Sequence, residues 1–412
     1  MFKPLRILQV GSMALLLASC ANTQTGAISV APGGASPGQS LTSQDAEKKK
    51  MNVTGGPGPS QPVPIRTGNS FSSSQGFLQP SGALDSDIAA YAQEVSDSRQ
   101  VPLADVLAIL ATANYNETVA RLMAPGKTRI RRSWVTYRNR FVEPVRIREG
   151  VDFWAEHRAD LDQASRKYGV PASVIVAIIG VETLYGRDTG SFRVLDALAT
   201  LGFRYPDDSR PERSQLFRDQ LADLIELHHH KKLDALSVRG SYAGAMGLPQ
   251  FMPGSLMRYA ADGDGDGRID LLGNPTDAVA SVARFLSLHG WVPGLPVFAP
   301  VILPADAGKL VAGGLNPTLD WAELRAQGAS MRVRAQALAA ASDLAKPNWQ
   351  HHKVGVIDLL DEPRNQAEYR TATPNFFAIT HYNRSYFYAA AVADLAQELS
   401  DRMGYASPNH PD

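Results

Sequence analysis

The stretch VIVAIIGVETLYGRD, residues 174–188, combines a long apolar run with a single carboxylate. Eight consecutive residues, 174–181, are apolar or glycine, and Glu182 follows them directly. Helical spacing places Glu182 on the same face as Ile178 and Ile179. That face is expected to be buried, and a carboxyl group in poorly solvated surroundings has a raised pKa. The stretch therefore predicts a buried helix that ends in an acid able to donate a proton near neutral pH.

A second interpretation of the same acid is a structural ion pair with a cation such as Arg187, and spacing alone does not separate the two. The flanking residues predict the bounds of this helix. Gly169 suits the end of the preceding amphipathic segment GVDFWAEHRADLDQASRKYG, residues 150–169. Pro171 suits the first turn of the next helix, which is expected to run from Ala172 to about Thr183.

Helical periodicity continues through most of the remaining chain. Apolar residues recur at helical spacing in DSDIAAYAQEVSDSR (85–99) and PLADVLAILATANYN (102–116), each with an early aspartate. The segment NPTDAVASVARFLSLHG (274–290) begins with an Asn cap followed by proline and ends at a glycine. Its apolar stripe consists of Val279, Val282, Phe285, Leu286 and His289.

The pattern changes between residues 297 and 372. Three segments there resemble short strands or irregular insertions, namely VFAPVIL (297–303), MRVRAQAL (331–338) and KVGVIDLLD (353–361). The sequence shows no regular alternation of strands with helices. It therefore predicts a mainly α chain with a small β-containing element near the C-terminus.

Length and composition exclude several classes of function. The 412 residues carry 41 basic and 41 acidic side chains, so there is no electrostatic support for nucleic-acid binding. Hydrophobic residues make up 44% of the chain, enough for a sizeable core in one or two domains. The single cysteine, Cys20, excludes an intrachain disulfide, a cysteine metal cluster and a cysteine nucleophile beyond the N-terminus.

Residues 1–20 have the pattern of a secretory signal. Lys3 and Arg6 precede the short apolar run ILQVGSMALLLASC. Its end, residues 17–20, resembles the lipobox of bacterial lipoproteins, which implies cleavage before Cys20 and acylation of the Cys20 thiol. An uncleaved anchor helix is the alternative, but the run is short for a membrane span. Ala21 after the cysteine resembles the sorting signal of an outer-membrane lipoprotein that faces the periplasm.

The next segment, residues 21–82, is rich in Gly, Pro, Ser, Gln and Thr. Such a composition buries too little apolar surface to offset the entropy of ordering, so a disordered tether is expected. A flexible coil of about 60 residues spans roughly 40–47 Å. We therefore expect a catalytic region, residues 83–402, to stand off the membrane, followed by a short tail, residues 403–412.

The segment GSYAGAMGLPQFMPGS, residues 240–255, is built largely from small residues. Ser241 and Gln250 are its polar side chains. Glycine and alanine allow a backbone to approach a ligand or another helix closely. The segment therefore predicts either a ligand-binding loop or a tight helix–helix crossing.

An acidic segment follows, ADGDGDGRIDLLGNPTD, residues 261–277. Asp262, Asp264 and Asp266 alternate with glycines, as in the first half of an EF-hand calcium loop. The twelfth position is Gly273, and the next acid is Asp277, so the loop is longer than the standard twelve residues. A solvated acidic turn is the alternative.

Together these segments resemble the lytic murein transglycosylase B family. The resemblance is carried by GVETLYGRDTGSFRVLDALATLGFRYP, GSYAGAMGLPQFMPGS and DAVASVARFLSLHGW, with support from FWAEHRADLDQASRKYGVP and NFFAITHYNRSYFYAAAV, and covers roughly residues 85–402. It implies a lysozyme-like α core, an additional α domain, a small β-containing domain and an EF-hand-like loop. It also implies cleavage of the β-1,4 bond between N-acetylmuramic acid and N-acetylglucosamine in peptidoglycan, with a 1,6-anhydromuramoyl product.

Motif matching with this family implies roles for particular residues. Glu182 in GVET matches the catalytic acid and base. Ser241, Gln250, Asn383, Tyr388 and Tyr137 match residues of the saccharide groove. A structural Ca²⁺ is expected at Asp262, Asp264, Asp266, Arg268 and Asp277, and no catalytic cofactor. The expected partners are peptidoglycan glycan strands, the membrane through Cys20, and cell-wall synthesis complexes, with no nucleic acid.

A single acid is sufficient for this reaction. Ordinary glycosidases use two carboxylates because a water molecule or a covalent intermediate must be handled opposite the leaving group. Here the muramoyl 6-hydroxyl is itself the nucleophile, and its attack within one molecule has a high effective concentration. A hydrolytic muramidase and a non-catalytic calcium-binding lipoprotein that anchors peptidoglycan are the competing functions.

Overall fold

The computed structural model describes residues 77–126, 128–332 and 348–409, which belong to one compact unit. Within these ranges most regular structure is helical, which confirms the predicted mainly α fold. The α-helices are α1 (Ser86–Arg99), α2 (Leu103–Leu110), α3 (Glu117–Met123), α4 (Trp134–Phe141), α5 (Pro144–Glu156), α6 (Arg158–Tyr168), α7 (Ala172–Thr183), α8 (Val194–Phe203), α9 (Pro211–His229), α10 (Pro253–Tyr259), α11 (Pro275–Leu288), α12 (Trp321–Ala326), α13 (Pro374–Tyr382) and α14 (Tyr386–Met403).

Helix α7 is the centre of the core. It has the bounds that the sequence predicts, because Pro171 precedes it and Leu184 ends it in a left-handed conformation. Every residue of α7 except Glu182 is buried. A helix that is apolar all round must be surrounded, and α5, α6, α11 and α14 pack around it.

The segment predicted as one helix over residues 150–169 is two helices, α5 and α6. His157 ends the first and precedes the second, with φ −104° and ψ 27°. The break allows α6 to pack against α11, while α5 packs against α7 and α14. Amphipathic periodicity continues through the break, so it gives no sign of the change in direction. The predicted glycine end is confirmed, since Gly169 follows α6 with φ 72°.

A second helical layer is built on α8 and α9. Helices α1, α2 and α10 contact α9, and α3 contacts α8. The prediction for residues 85–99 is confirmed by α1, whereas the helix predicted over 102–116 ends at Leu110. Beyond α2, the backbone N–H of Asn114 donates to Asp196 (2.9 Å) and that of Asn116 to Thr200 (2.9 Å), so these bonds replace helical ones.

Helix α11 begins and ends close to the predicted positions. The Asn274 side chain accepts a hydrogen bond from the N–H of Thr276 (3.0 Å), and Pro275 is the first helical residue. The four aliphatic and aromatic members of its predicted stripe, Val279, Val282, Phe285 and Leu286, are buried.

The described strands form three antiparallel two-stranded sheets. They pair as β1 (Phe192–Arg193) with β2 (Arg239–Gly240), β3 (Val301–Ile302) with β4 (Ser330–Met331), and β5 (Gly355–Asp361) with β6 (Gln366–Ala372). The strand predicted over 353–361 is confirmed as β5. The one predicted over 297–303 shortens to β3, and that over 331–338 lies mostly outside the described residues. A small second core around Leu324 and Trp349 accompanies β3 and β5, which confirms the β-containing element.

The predicted tether meets the packed chain at its last residues. Phe77 is buried, with its ring centroid 6.0 Å from that of Phe203. At the other end, Asn409 is buried and donates to the carbonyl of Ala393 (3.0 Å). The signal segment and Cys20 lie outside the described residues. Among the described residues no single helix is long and apolar enough to cross a membrane; α6 and α7 meet that test only as a pair bent by 114°.

Candidate active site

Glu182 lies where α7 ends and the backbone becomes left-handed. Leu184, Tyr185 and Gly186 have φ values of 49°, 58° and 89°. Two successive non-glycine residues in this region are uncommon, and such a conformation persists only where surrounding structure holds it. The turn leaves Glu182 as the one partly exposed residue of an otherwise buried helix.

The side chain of Tyr185 holds this turn in place. It lies between α5 and α7 at two glycines, Gly150 and Gly180, where an added Cβ would lie 2.3 and 2.4 Å from the Tyr185 hydroxyl oxygen. The hydroxyl donates to the main-chain carbonyl of Arg146 (3.0 Å). A side chain at either glycine would clash with the Tyr185 ring, so glycine at both positions allows Tyr185 to hold the turn.

The Glu182 carboxyl group has one hydrogen-bond donor in the described part of the chain. The hydroxyl of Tyr388, on α14, donates to Glu182 Oε1 at 2.6 Å. Burial raises the pKa of Glu182 to about 7, and the hydrogen bond from Tyr388 opposes that rise. The ion pair considered for Arg187 is wrong, since its guanidinium pairs with Glu149.

Two further tyrosines, Tyr382 and Tyr137, lie near Glu182. The Tyr382 hydroxyl donates to the carbonyl of Pro249 (2.5 Å), and its ring stacks on that of Tyr388 at 6.4 Å. The Tyr137 hydroxyl oxygen is buried without a hydrogen-bond partner among the described residues. Burial, with Glu182 nearby, raises the pKa of Tyr137 and of Tyr382. Both phenols therefore remain protonated donors at neutral pH.

The family resemblance predicts Tyr137 and Tyr388 as residues of the saccharide groove, but Tyr382 was not predicted. The motif HYNRSYFY contains three tyrosines, Tyr382, Tyr386 and Tyr388, at positions that differ little in local pattern. Tyr386 hydrogen-bonds to the carbonyl of Gly314, away from the acid. Only the positions of the neighbouring helices distinguish them.

The small-residue segment is a loop of turns, so the predicted helix–helix crossing is wrong. The Ser241 hydroxyl accepts from the N–H of Ala245 (3.0 Å). Gln250 has φ 51°, and its amide nitrogen donates to the carbonyls of Thr189 (3.1 Å) and Gly247 (2.9 Å). Its Oε1 atom is buried without a partner among the described residues. The two hydrogen bonds from its amide nitrogen therefore hold the Gln250 side chain in place and leave Oε1 available as an acceptor.

The predicted groove residues fall into two groups. Tyr388 contacts the Glu182 carboxyl directly, and Tyr137 lies close enough to be affected by its charge. In the described part of the chain no hydrogen bond joins Ser241, Gln250 or Asn383 to Glu182. Asn383 follows α13 directly, between the two helices that carry Tyr382 and Tyr388.

The acidic loop brings together three of its carboxylates. One oxygen from each of Asp262, Asp264 and Asp277 lies within 4.8 Å of the others. Asp277 is buried in the first turn of α11 and accepts from the N–H groups of Gly263 (2.7 Å) and Asp270 (2.7 Å). Burial raises the pKa of Asp277. Carboxylate oxygens are the ligands that Ca²⁺ prefers, and these three would supply part of the roughly six to eight oxygens that it takes.

Asp266, which was also predicted as a metal ligand, is not one of these three carboxylates, and the expected contribution of Arg268 stays a prediction. The Asp266 carboxylate accepts from the N–H of Arg268 (2.7 Å) and caps the turn. Asp277, eleven residues further along and also a member of the predicted site, closes the loop through its hydrogen bonds from Gly263 and Asp270.

A cavity of about 1020 Å³ lies away from Glu182 and is lined by parts of α2, the end of α9 and residues 267–272 of the acidic loop. It contains none of the predicted groove residues. Around Glu182 itself, one acid of raised pKa lies among the phenol groups of Tyr388, Tyr382 and Tyr137.

Comparison with known proteins assigns the chain to a family. Residues 83–397 match the model described as Transglycosylase SLT domain. The membrane-bound lytic murein transglycosylase B of Escherichia coli (strain K12) is 38% identical over 268 residues, which are 65% of this chain and 68% of that protein.

Two solved structures are also similar to the chain. The soluble lytic transglycosylase SltB1 from Pseudomonas aeruginosa has a TM-score of 0.66 at 39% identity, covering 77% of this chain and 99% of that one. The Escherichia coli lytic transglycosylase Slt35, solved in complex with calcium, has a TM-score of 0.65 at 32% identity, covering 79% of this chain and 96% of that one.

Proposed function

The chain belongs to the Transglycosylase SLT domain family and is a peptidoglycan lytic transglycosylase, and we propose that Glu182 is its single acid–base group. The observation that carries this proposal is the position of the Glu182 carboxyl group, at the end of a buried helix and hydrogen-bonded by Tyr388, where burial raises its pKa to about 7. A carboxyl group that is still protonated near neutral pH can donate to a leaving group.

The first step is proton transfer from Glu182 to the glycosidic oxygen. That oxygen belongs to the bond between C1 of N-acetylmuramic acid and O4 of N-acetylglucosamine, and protonation lets the C1–O4 bond break with the electron pair leaving on O4. Tyr388 already donates to Oε1, so Oε2 is the atom that carries the proton towards the substrate. Burial raises the pKa of Tyr388 well above its ordinary value, so it stays a donor throughout.

The second step closes the anhydro ring. The muramoyl 6-hydroxyl forms a bond to C1 and gives its proton to the Glu182 carboxylate, which returns to its starting state. No water is consumed and the protons balance. Among the described residues no second carboxylate contributes to the pKa of Glu182, in keeping with a mechanism that does not use one.

The groove residues supply hydrogen bonds to the saccharide in this proposal. Tyr137 and Gln250 each present a buried polar atom that has no hydrogen-bond partner among the described residues, one a donor and one an acceptor. Unpaired buried groups are costly unless a ligand satisfies them. Ser241 and Asn383 line the same groove with a hydroxyl and an amide.

The remaining parts of the proposal concern calcium and location. We infer a structural Ca²⁺ on Asp262, Asp264 and Asp277, supported by their geometry and by the calcium complex of Slt35. We also infer acylation of Cys20 and attachment to the outer membrane on its periplasmic side, supported by the lipobox-like sequence and by the membrane-bound relative. Association with cell-wall synthesis complexes is a further expectation from the family resemblance.

Product mass and one variant test the mechanism together. The wild type should release muropeptides lighter by one water molecule than those of a muramidase, and Glu182→Gln should lose activity by about 10²–10⁴-fold. Murein binding should survive in the variant, because the groove side chains are unchanged. Hydrated products would point to a hydrolytic muramidase, and a fully active variant would remove Glu182 from the reaction.

A further inference from the structure

Thr183, next to Glu182, joins two parts of the site through one hydroxyl group. The side chain is buried, and its hydroxyl accepts from the N–H of Gly186 at 3.0 Å. Its single proton can go to the carbonyl of Leu248 at 2.9 Å or to that of Ile179 at 3.2 Å. The shorter bond is the one to Leu248, so the hydroxyl closes the left-handed turn and attaches it to the small-residue loop.

The other side of Leu248 is attached to the acidic loop. Its backbone N–H donates to the carbonyl of Leu271 at 3.0 Å, and Leu271 is buried. Gly247 makes this contact possible: it has φ 69°, and an added Cβ would lie 2.2 Å from the Leu271 oxygen. Leu248 is therefore held on one side by Thr183 and on the other by Leu271.

The residue before Leu271 is bound to the carboxylate cluster. The N–H of Asp270 donates to Asp277 Oδ2 at 2.7 Å. The same Asp277 faces Asp262 and Asp264 in the candidate calcium site. A continuous series of hydrogen bonds thus runs from Asp277 through residues 270–271 and Leu248 to Thr183.

We propose that Thr183 is a positioning residue that couples the acidic loop to the turn carrying Glu182. Its role in catalysis rests on the proposed function of Glu182. When the acidic loop is ordered, the carbonyl of Leu271 fixes Leu248, and Leu248 fixes Thr183 and the turn. Thr183 itself faces the protein interior and does not touch the substrate.

Two substitutions separate hydrogen bonding from packing at this position. Thr183→Val keeps the shape but loses both bonds, and Thr183→Ser keeps the hydroxyl but loses a methyl group. We expect kcat on murein to fall about 10- to 100-fold in Thr183→Val, with KM little changed, because a small misplacement of a reacting group is costly. Thr183→Ser should retain most of the activity. Wild-type kcat in the Val variant, or equal losses in both variants, would reduce Thr183 to a packing residue.

Hydrogen exchange of two backbone amides tests the coupling without reference to activity. In Thr183→Val the Gly186 amide loses its acceptor, and its exchange should quicken by about two- to tenfold. In the wild type, CaCl₂ compared with chelator should slow exchange at both Leu248 and Gly186. In Thr183→Val, calcium should slow exchange at Leu248 only. Calcium protection of Gly186 in both proteins, or of neither amide in the wild type, would overturn the proposal.

Two control variants complete the experiment. Replacing Asp262 and Asp264 together by Asn should remove the calcium effect at both amides. Glu182→Gln should leave both exchange patterns as in the wild type, because Glu182 is outside the series of hydrogen bonds. An active Glu182→Gln enzyme would therefore refute the proposed mechanism while leaving the exchange result to decide the coupling. The calcium comparison on the wild type needs no substitution, so it remains decisive if Thr183→Val does not fold.

Discussion

Replacing Glu182 by Gln should change how the stability of the protein depends on pH. Burial raises the pKa of Glu182 from its ordinary 4.5 to about 7, so the folded protein keeps a proton that the unfolded chain releases from lower pH. Stability falls with rising pH wherever the folded state binds more protons than the unfolded state. The contribution is therefore fully present below about pH 4.5 and is lost as the pH rises to about 7. Glu182→Gln has no titratable group at this position, so its stability lacks this dependence on pH.

The size of this stability difference follows from the shift in the pKa of Glu182. A rise from 4.5 to about 7 is about 2.5 units, and at about 1.36 kcal/mol per unit it corresponds to about 3 kcal/mol. Glu182→Gln should therefore gain about 3 kcal/mol over the wild type between about pH 4 and pH 8. At the acid end the two proteins should be similarly stable, since both then carry a neutral side chain.

Urea unfolding followed by circular dichroism at several pH values measures this difference. Glu156→Gln is a suitable control, because Glu156 ends α5, is exposed and has no salt bridge in the described part of the chain. Its unfolding free energy should follow that of the wild type at every pH. If the curves of Glu182→Gln and the wild type stay parallel from acid to alkaline pH, Glu182 does not hold its proton in the folded protein and the proposed acid role fails.

Three further predictions concern activity, calcium and lipidation. Since Glu182 must be protonated to donate, kcat/KM on murein should fall as the pH rises above about 7; a flat profile to pH 9 would contradict this. With an affinity of about 10⁻⁴ M, about 1 mM Ca²⁺ should stabilise the fold by about 1.4 kcal/mol, seen as a modest rise in Tm over chelator. The rise should vanish when Asp262 and Asp264 become Asn, and its absence in the wild type would indicate an ordinary acidic turn. A fatty-acid probe should label the wild type and not Cys20→Ser, and equal labelling of both would exclude the membrane anchor.

Local patterns in the amino-acid sequence were sufficient to predict several features of the site. The apolar run before Glu182, with Pro171 ahead of it, defined α7 to the residue, because periodicity and terminal residues act over a few positions. The raised pKa of Glu182 followed from the same run, since burial of a helix that is apolar all round does not depend on which partner covers it. Asn274 and Pro275 likewise marked the start of α11.

Which side chains meet at the site depends on how distant helices and loops pack together. Tyr388 is 206 residues from Glu182 along the chain. That Tyr388 and not Tyr386 bonds to Glu182 depends on how α14 packs against α7. The break at His157 depends on the separate packing partners of α5 and α6. The bond from Thr183 to Leu248 is made across 65 residues. Such contacts carry no local sequence pattern, because a hydrogen bond between distant segments depends on where whole helices and loops pack.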